Sequence, residues 1–222
     1  TLTASDDAGN STSQSITVSV NNLNDNDPVF STGATFSANE NQTAIGTAAA
    51  TDADGDSVTF TTSSSDLSIT SSGVITFNSA PDYETTTSYT ATITANDGAN
   101  STTQDITVNI NNLNDNAPVY TSSATFSADE NQTAIGTVTA TDADGSSFTF
   151  STSSSEISIT SAGVLTFATA PNYEVKSSYT ATVSVTDGAF TETQDITVTV
   201  NDVNEAPSFT SGTSFALNNG ET

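Results

Sequence analysis

The amino-acid sequence predicts an all-β chain: tandem immunoglobulin-like Greek-key β-sandwiches of about seven strands each, arranged end to end. Three observations carry that expectation. Segments match one another at a fixed offset of 90 residues, so the chain is a repeat array. Within a repeat, apolar and polar residues alternate with period two, and no segment shows a period of 3.6. Turn signals separate about seven such segments per repeat, which is the pattern of a two-sheet sandwich.

The repeat register sets the domain organisation. The segment 37–47 returns as 127–137 with a single change, Asn39 to Asp129. Asp52-Ala53-Asp54-Gly55 returns as Asp142-Ala143-Asp144-Gly145, and Asp97-Gly98 as Asp187-Gly188. Asp82-Tyr83-Glu84 matches Asn172-Tyr173-Glu174. Asn24-Asp25-Asn26-Asp27-Pro28 matches Asn114-Asp115-Asn116-Ala117-Pro118, and then the shorter Asn204-Glu205-Ala206-Pro207. Residues 1–27 read as the tail of a preceding repeat, 28–117 and 118–206 as complete repeats, and 207–222 as the head of a following one. Phe215 stands eight residues after Pro207, as Phe126 does after Pro118. A repeat of about 90 residues is long enough to bury a core of its own.

In chain order, Asp6-Asp7-Ala8-Gly9 marks a hairpin turn one residue longer than its counterparts. The alternation at Ile16–Val20 then reads as an orphan strand. Leu67-Ser68-Ile69-Thr70 and Val74-Ile75-Thr76-Phe77, around Ser71-Ser72-Gly73, read as a hairpin with glycine in its turn. Asp97-Gly98-Ala99-Asn100 is a second hairpin turn, leading into the alternation of Asp105-Ile106-Thr107-Val108-Asn109-Ile110. Ser147-Phe148-Thr149-Phe150 and Tyr179-Thr180-Ala181-Thr182-Val183 read as strands of the second complete repeat. Ser and Thr, about a third of the chain, occupy outward strand positions, where β-branching suits the pleat.

Composition removes several functions. The 222 residues carry 26 acidic side chains and one basic one, Lys176, for a formal net charge of −25. One cation cannot neutralise a phosphate backbone or an anionic lipid surface, so no nucleic acid is expected as partner. With no Cys and no His there is no disulfide, no zinc site of the usual kind and no Ser-His-Asp triad. Oxygen ligation of a hard cation remains. No apolar run approaches a membrane span, so no direct membrane insertion is expected of this segment. With no initiator Met or signal peptide, it reads as an interior piece of a longer chain.

The carboxylates are not spread evenly. Glu40, Asp52, Asp54, Asp82, Glu84, Asp97 and Asp115 fall nearly all in turn contexts beside Gly, Pro or Asn. Alternate spacing, as in Asp142-x-Asp144 and Asp82-x-Glu84, puts two carboxylates on one side of an extended loop. Seven gathered without a cation would repel by several kcal/mol even at an effective dielectric of about 20. Ca²⁺ takes 6–8 oxygens from the mixture that Asp, Glu and Asn supply. The sequence of motifs, Glu-Asn, Asp-x-Asp-Gly, Asp-Tyr-Glu, Ala95-Asn96-Asp97 and Asn-Asp-Asn-x-Pro, resembles that of cadherin repeats over the whole chain. The wording around Ala80-Pro81-Asp82-Tyr83-Glu84 and Asp202-Val203-Asn204-Glu205-Ala206-Pro207 resembles the bacterial cadherin-like type.

The resemblance implies three Ca²⁺ ions at each junction of successive repeats. At the junction of 28–117 with 118–206 it implies Glu40, Asp82 and Glu84 above, and Asp142, Asp144 and Asp187 below. The linker there would give the Leu113 carbonyl, the Asn114 amide, the Asp115 carboxylate and the Asn116 carbonyl. The loop after Asp144 is shorter than in animal relatives. Asn112 replaces the family's Asp at a position taken as peripheral to the ions, so it is not counted. The first junction would use Asn24, Asp25, Asn26, Asp52, Asp54 and Asp97. The last would use Glu130, Asn172, Glu174, Asn204 and Glu205. With Asn172 in place of Asp, it is expected to hold its outermost ion less tightly than the central one. Asn219 replaces the Glu of the next repeat.

Other readings carry less. Asp52-Ala53-Asp54-Gly55-Asp56 is not an EF-hand loop: its Gly is misplaced and Ser63 stands where the closing Glu should be. Paired carboxylates that recur once per repeat favour structure over glycosidase chemistry, so no enzyme is expected. Tyr83, Tyr89, Tyr173 and Tyr179 read as packing rather than a sugar-stacking platform. Sequons at Asn10, Asn41, Asn100 and Asn131 mean little in a bacterial chain. The resulting expectation is a Ca²⁺-rigidified segment of a large extracellular, cell-surface or secreted adhesin or matrix protein. Its partners would be the neighbouring repeats of the same chain. The alternative is a polysaccharide-binding or homophilic recognition module, or a filament in which Ile16–Val20 pairs with another copy of the chain.

Overall fold

The computed structural model describes residues 1–208 and Gly212. The expected head of a following repeat, with Phe215 and Asn219, therefore lies outside the described residues apart from Pro207, Ser208 and Gly212. No helix occurs among the described residues. The chain divides into two compact units between Leu113 and Asn114, inside the linker motif.

The first unit opens with a hairpin of β1 (Leu2–Ser5) and β2 (Ser11–Gln14), paired from Leu2↔Gln14 to Ser5↔Ser11. The turn spans residues 6–10, against 97–100 in its counterpart, so it is one residue longer as the sequence indicates. The expected strand at Ile16–Val20 does not form. Ile16, Val18, Val20 and Leu23 are exposed, and among the described residues no strand lies alongside them to take their ladder hydrogen bonds.

Nine strands follow in this unit: β3 (Val29–Phe30), β4 (Thr35–Asn39), β5 (Ala44–Thr47), β6 (Ala50–Thr51), β7 (Thr59–Thr62), β8 (Leu67–Ile69), β9 (Val74–Phe77), β10 (Ser88–Asn96) and β11 (Ser101–Asn111). Two interruptions reconcile them with the expected seven. The first strand is broken into β3, which pairs with β6, and β4, which pairs with β11 in the other sheet. The second is broken into β5 and β6. One sheet runs β4-β11-β10-β7, with β4 parallel to β11, and the other β5-β9-β8. Ile106, Val108 and Ile110 on β11 point inward onto Ile93, Phe77, Leu67 and Ile75, giving the alternation its burial.

The second unit repeats the plan: β12 (Val119–Tyr120), β13 (Thr125–Asp129), β14 (Ala134–Thr137), β15 (Ala140–Thr141), β16 (Thr149–Thr152), β17 (Ile157–Ile159), β18 (Val164–Phe167), β19 (Ser178–Thr186) and β20 (Thr191–Asn201). Its sheets run β13-β20-β19-β16 and β14-β18-β17. The strand expected from Ser147 begins at Thr149, because the Asp142–Gly145 loop still governs the backbone at Ser146 through its bond to Asp142. Tyr83, Tyr89 and Tyr179 pack on the cores, with Tyr179 edge-on to Phe167 at 4.9 Å. Tyr173, expected to pack, is instead 39% exposed. Lys176 bonds both Glu156 oxygens, at 2.6 and 2.7 Å, and lies 4.2 Å from the centre of the Tyr179 ring.

The β8–β9 and β17–β18 hairpins turn on Gly73 (φ +90°) and Gly163 (φ +87°). Each glycine's carbonyl accepts a bond from a buried residue in the break between β5 and β6 or between β14 and β15, Ala48 or Val138. A Cβ at Gly73 would collide with the Ala48 carbonyl oxygen, whereas at Gly55 (φ +85°) it meets open space. Gly73→Ala should cost about 3 kcal/mol, from overpacking added to left-handed strain, and Gly55→Ala about 1 kcal/mol. Urea unfolding of the two variants checks the order.

Candidate metal centres

Each unit carries two separate sets of acidic residues, at opposite ends of its longest strand. In the first unit Asp97 sits in the turn that precedes β11, and Glu40 follows β4, whose end pairs with Asn111 at the end of β11. An eleven-residue strand separates the sets by about 35 Å.

The set near the start of β11 is built from two Asx-type turns and the linker. Asp52 Oδ1 accepts the Asp54 and Asp56 amides at 2.8 and 3.3 Å. Asp97 Oδ1 accepts the Ala99 and Asn100 amides at 2.8 and 2.7 Å. In both residues one oxygen shapes the loop, while the other, Oδ2, is buried without a hydrogen-bond partner. The linker lies over them. Asp25 and Asn26 donate their amides to Asp54 Oδ2 at 3.0 and 2.9 Å, and the Asn26 side chain donates to Asp54 Oδ1. The Asn24 amide reaches the Asp97 carbonyl, while Asn100 donates to the Asn24 side chain and the Asn26 carbonyl.

These donors have an electrostatic effect. The Asn26 backbone N–H holds the Asp54 carboxyl below its ordinary value, helped by Asp25 and opposed by burial and the Asp97 charge. The Asn100 N–H does the same for Asp97. Asp6, in the first hairpin, is also lowered, chiefly by the Asn10 side chain, which satisfies the oxygen that its counterpart Asp97 leaves bare.

The second unit repeats this set. Asp142 Oδ2 is buried and unpartnered, and its Oδ1 accepts the Ser146 amide. Asp115 and Asn116 donate to Asp144 Oδ2 at 3.1 and 2.9 Å. With its amide nitrogen turned inward, Asn114 bonds both Asp144 Oδ2 and Asp187 Oδ2 at 3.1 Å. Asp187 Oδ1 holds the Ala189 and Phe190 amides.

The other set is organised by one buried glutamate. Glu40 is 2% exposed, and its oxygens accept the Tyr83 and Leu113 amides, both at 2.7 Å. Glu130, 3% exposed, does the same for Tyr173 and Val203 at 2.8 Å. In the first unit Glu84 approaches Glu40 within 4.8 Å. In the second, Glu130, Glu174 and Asp202 each offer an oxygen within 4.8 Å of the others.

Asp202 is the residue that sequence reasoning missed. It is the 90-residue counterpart of Asn112, a position taken as peripheral, and its acidity directly before the linker was the available signal. Asp82 stands aside from its expected group: its oxygens accept the Thr85 amide and hydroxyl, capping the turn. Asn172 caps the matching turn through Val175. Glu205 accepts the Asn131 side chain at 2.9 Å, and Asn204 is exposed.

The residues fit a hard divalent cation. All donors are oxygens, three buried carboxylate oxygens lack partners, and a spacing of 4.8 Å is about twice a Ca²⁺–O distance. A buried oxygen left unpaired costs free energy that a bound cation would offset.

Glu40→Gln keeps one acceptor but faces the other amide with a donor. It should cost about 1–3 kcal/mol, read by urea unfolding in EDTA. The linker bonds to Asp54 and the turn bonds to Asp97 also make stability pH-dependent. Carboxyls lowered on folding contribute fully above the ordinary value of 3.8 and lose that contribution as pH falls through the folded value. In EDTA, Asp54→Asn should shrink the stability lost on acidification below about pH 4.

The family profile described as a bacterial Ig domain matches residues 24–111. Protocadherin-15 of Homo sapiens is 34% identical over 189 residues, covering 76% of this chain and 10% of that protein. Chitinase A of Pseudoalteromonas piscicida is 34% identical over 137 residues, covering 61% of this chain and 17% of that protein. The chain thus spans a tenth to a sixth of the length of these relatives. Among solved structures, the human desmocollin-1 ectodomain aligns with a TM-score of 0.67 at 24% identity, covering 84% of this chain and 44% of that one. Fold, motif order and relatives agree that the chain is built of cadherin-like repeats.

Proposed function

We propose that the chain is a calcium-binding, cadherin-like segment of a large extracellular adhesin or matrix protein, whose repeat junctions Ca²⁺ stiffens. The observation that carries this is the pairing of loop-shaping and bare oxygens: Asp52, Asp97 and Asp142 each commit one oxygen to the backbone and bury the other unpartnered. Glu40 and Glu130 tie the exit linker to the Tyr83 and Tyr173 loops. The Asn24–Asn26 and Asn114–Asn116 linkers are bonded in turn to Asp54 and Asp144. The remaining oxygens of these groups would hold Ca²⁺, which supplies positive charge where the chain has only Lys176 to offer. With Ca²⁺ bound, linkers held this way would restrict rotation between repeats. Modules of the extracellular kind bind at about 10⁻⁴–10⁻³ M. We read the segment as non-enzymatic and as acting through neighbouring repeats of its own chain.

A second reading, polysaccharide binding, draws on the likeness to a chitinase. It has little to stand on here, since Tyr173 is the one tyrosine among five that is exposed. Glycan-array binding would favour it. Small-angle scattering in Ca²⁺ and in EDTA tests the first reading. The expected result is a longer, narrower distance distribution with Ca²⁺; identical profiles would overturn stiffening.

A further inference from the structure

We propose that Asp56 is an additional Ca²⁺ ligand in the first unit, one that the second unit lacks, so that the two matched loops hold the ion with different strength. The inference rests on the calcium reading above and sharpens it. Asp52, Asp54 and Asp56 each present a carboxylate oxygen within 4.8 Å of the other two. At Ca²⁺–O distances of about 2.3–2.6 Å, oxygens on one ion are never farther apart than about 5 Å, so one cation can touch all three.

An acidic trio alone would be unremarkable on so acidic a surface. The independent observation is the neighbouring Asp97: it is 9% exposed, its Oδ1 is fixed by two backbone amides, and its Oδ2 has no partner. The linker joins Asp97 to the loop: Asn24 donates to the Asp97 carbonyl, and Asn26, whose own carbonyl accepts from Asn100 in the Asp97 turn, donates to Asp54. In the second unit the matching pair, Asp144 and Asp187, is close enough for one Asn114 amide to bond both. Asp52 Oδ2 is likewise buried and bare. One unsatisfied buried oxygen thus belongs to the trio itself and a second to the neighbouring Asp97.

The backbone separates folding from binding at this position. The Asp56 amide closes the loop on Asp52 Oδ1 at 3.3 Å, and the Ser146 amide does the same on Asp142 Oδ1 at 3.1 Å. Ser146 therefore completes the same turn without a carboxylate. The Asp56 carboxylate is not required by the turn, and it adds a charged ligand where ligand charge count tunes affinity.

The test uses the whole chain and NMR, with the Gly55 and Gly145 amides reporting the two loops separately during Ca²⁺ titration. Asp56→Ser should raise the Gly55 midpoint about tenfold and leave Gly145 in place, while Ser146→Asp should lower the Gly145 midpoint. Asp54→Asn is the control for the shared site. If Asp54→Asn shifts the Gly55 midpoint and Asp56→Ser does not, Ca²⁺ binding stands and the role of Asp56 falls. If neither glycine responds to Ca²⁺ in the unmodified chain, both readings fall together.

Discussion

Each of the two units depends on a glutamate that has almost no contact with water. Glu40 and Glu130 sit at the end of a strand, and their two oxygens are divided between backbone amides from distant parts of the chain. One amide belongs to the loop after Pro81 or Pro171, the other to the start of the exit linker. Charge-assisted bonds of this sort are stronger than neutral ones, and no basic side chain competes for them. The loop, the linker and the first strand of the main sheet are thereby fixed to a single carboxylate. Glu84, Glu174 and Asp202 gather where they do because the backbone that carries them is already pinned.

The two units show how far a common frame tolerates local change. Their strands begin and end at the same 90-residue offset, yet Asp56 becomes Ser146, Asp82 becomes Asn172, and Thr86 becomes Lys176. Each replacement keeps the backbone bond that defines its turn: Ser146 closes the Asp142 loop, and Asn172 caps through its side-chain oxygen as Asp82 does. Turn formation needs an acceptor or an amide, and a neutral residue serves. Charge at these places is free to vary with the metal chemistry, independently of the fold.

Much of this was legible in the sequence. The period-two run from Asp105 to Ile110 is the inner half of β11, and glycine marks the β8–β9 turn. The residues that escaped prediction lie where period carries no information. Ile16–Val20 alternates as well as β11 does, but alternation only states which face would be buried; a neighbouring strand decides whether it is. Asp82 and Glu84 share a spacing, yet Asp82 turns back on Thr85 because a short acidic side chain captures nearby donors. Asp202 was missed because its position was judged on the neutral Asn112. Tyr173 and Tyr83 have the same register and differ in exposure.

The parallel pairing of the first and last long strands has a mechanical consequence. Within each unit β4 lies beside β11, and β13 beside β20, over five residue pairs, with the chain entering at one end and leaving at the other. Tension along the chain therefore pulls the two strands lengthwise past each other. Their ladder bonds share the load at once and must rupture nearly together, unlike a hairpin peeled open one bond at a time. A tether made of such units would resist extension through its own terminal strands as well as through the side chains that hold its linkers.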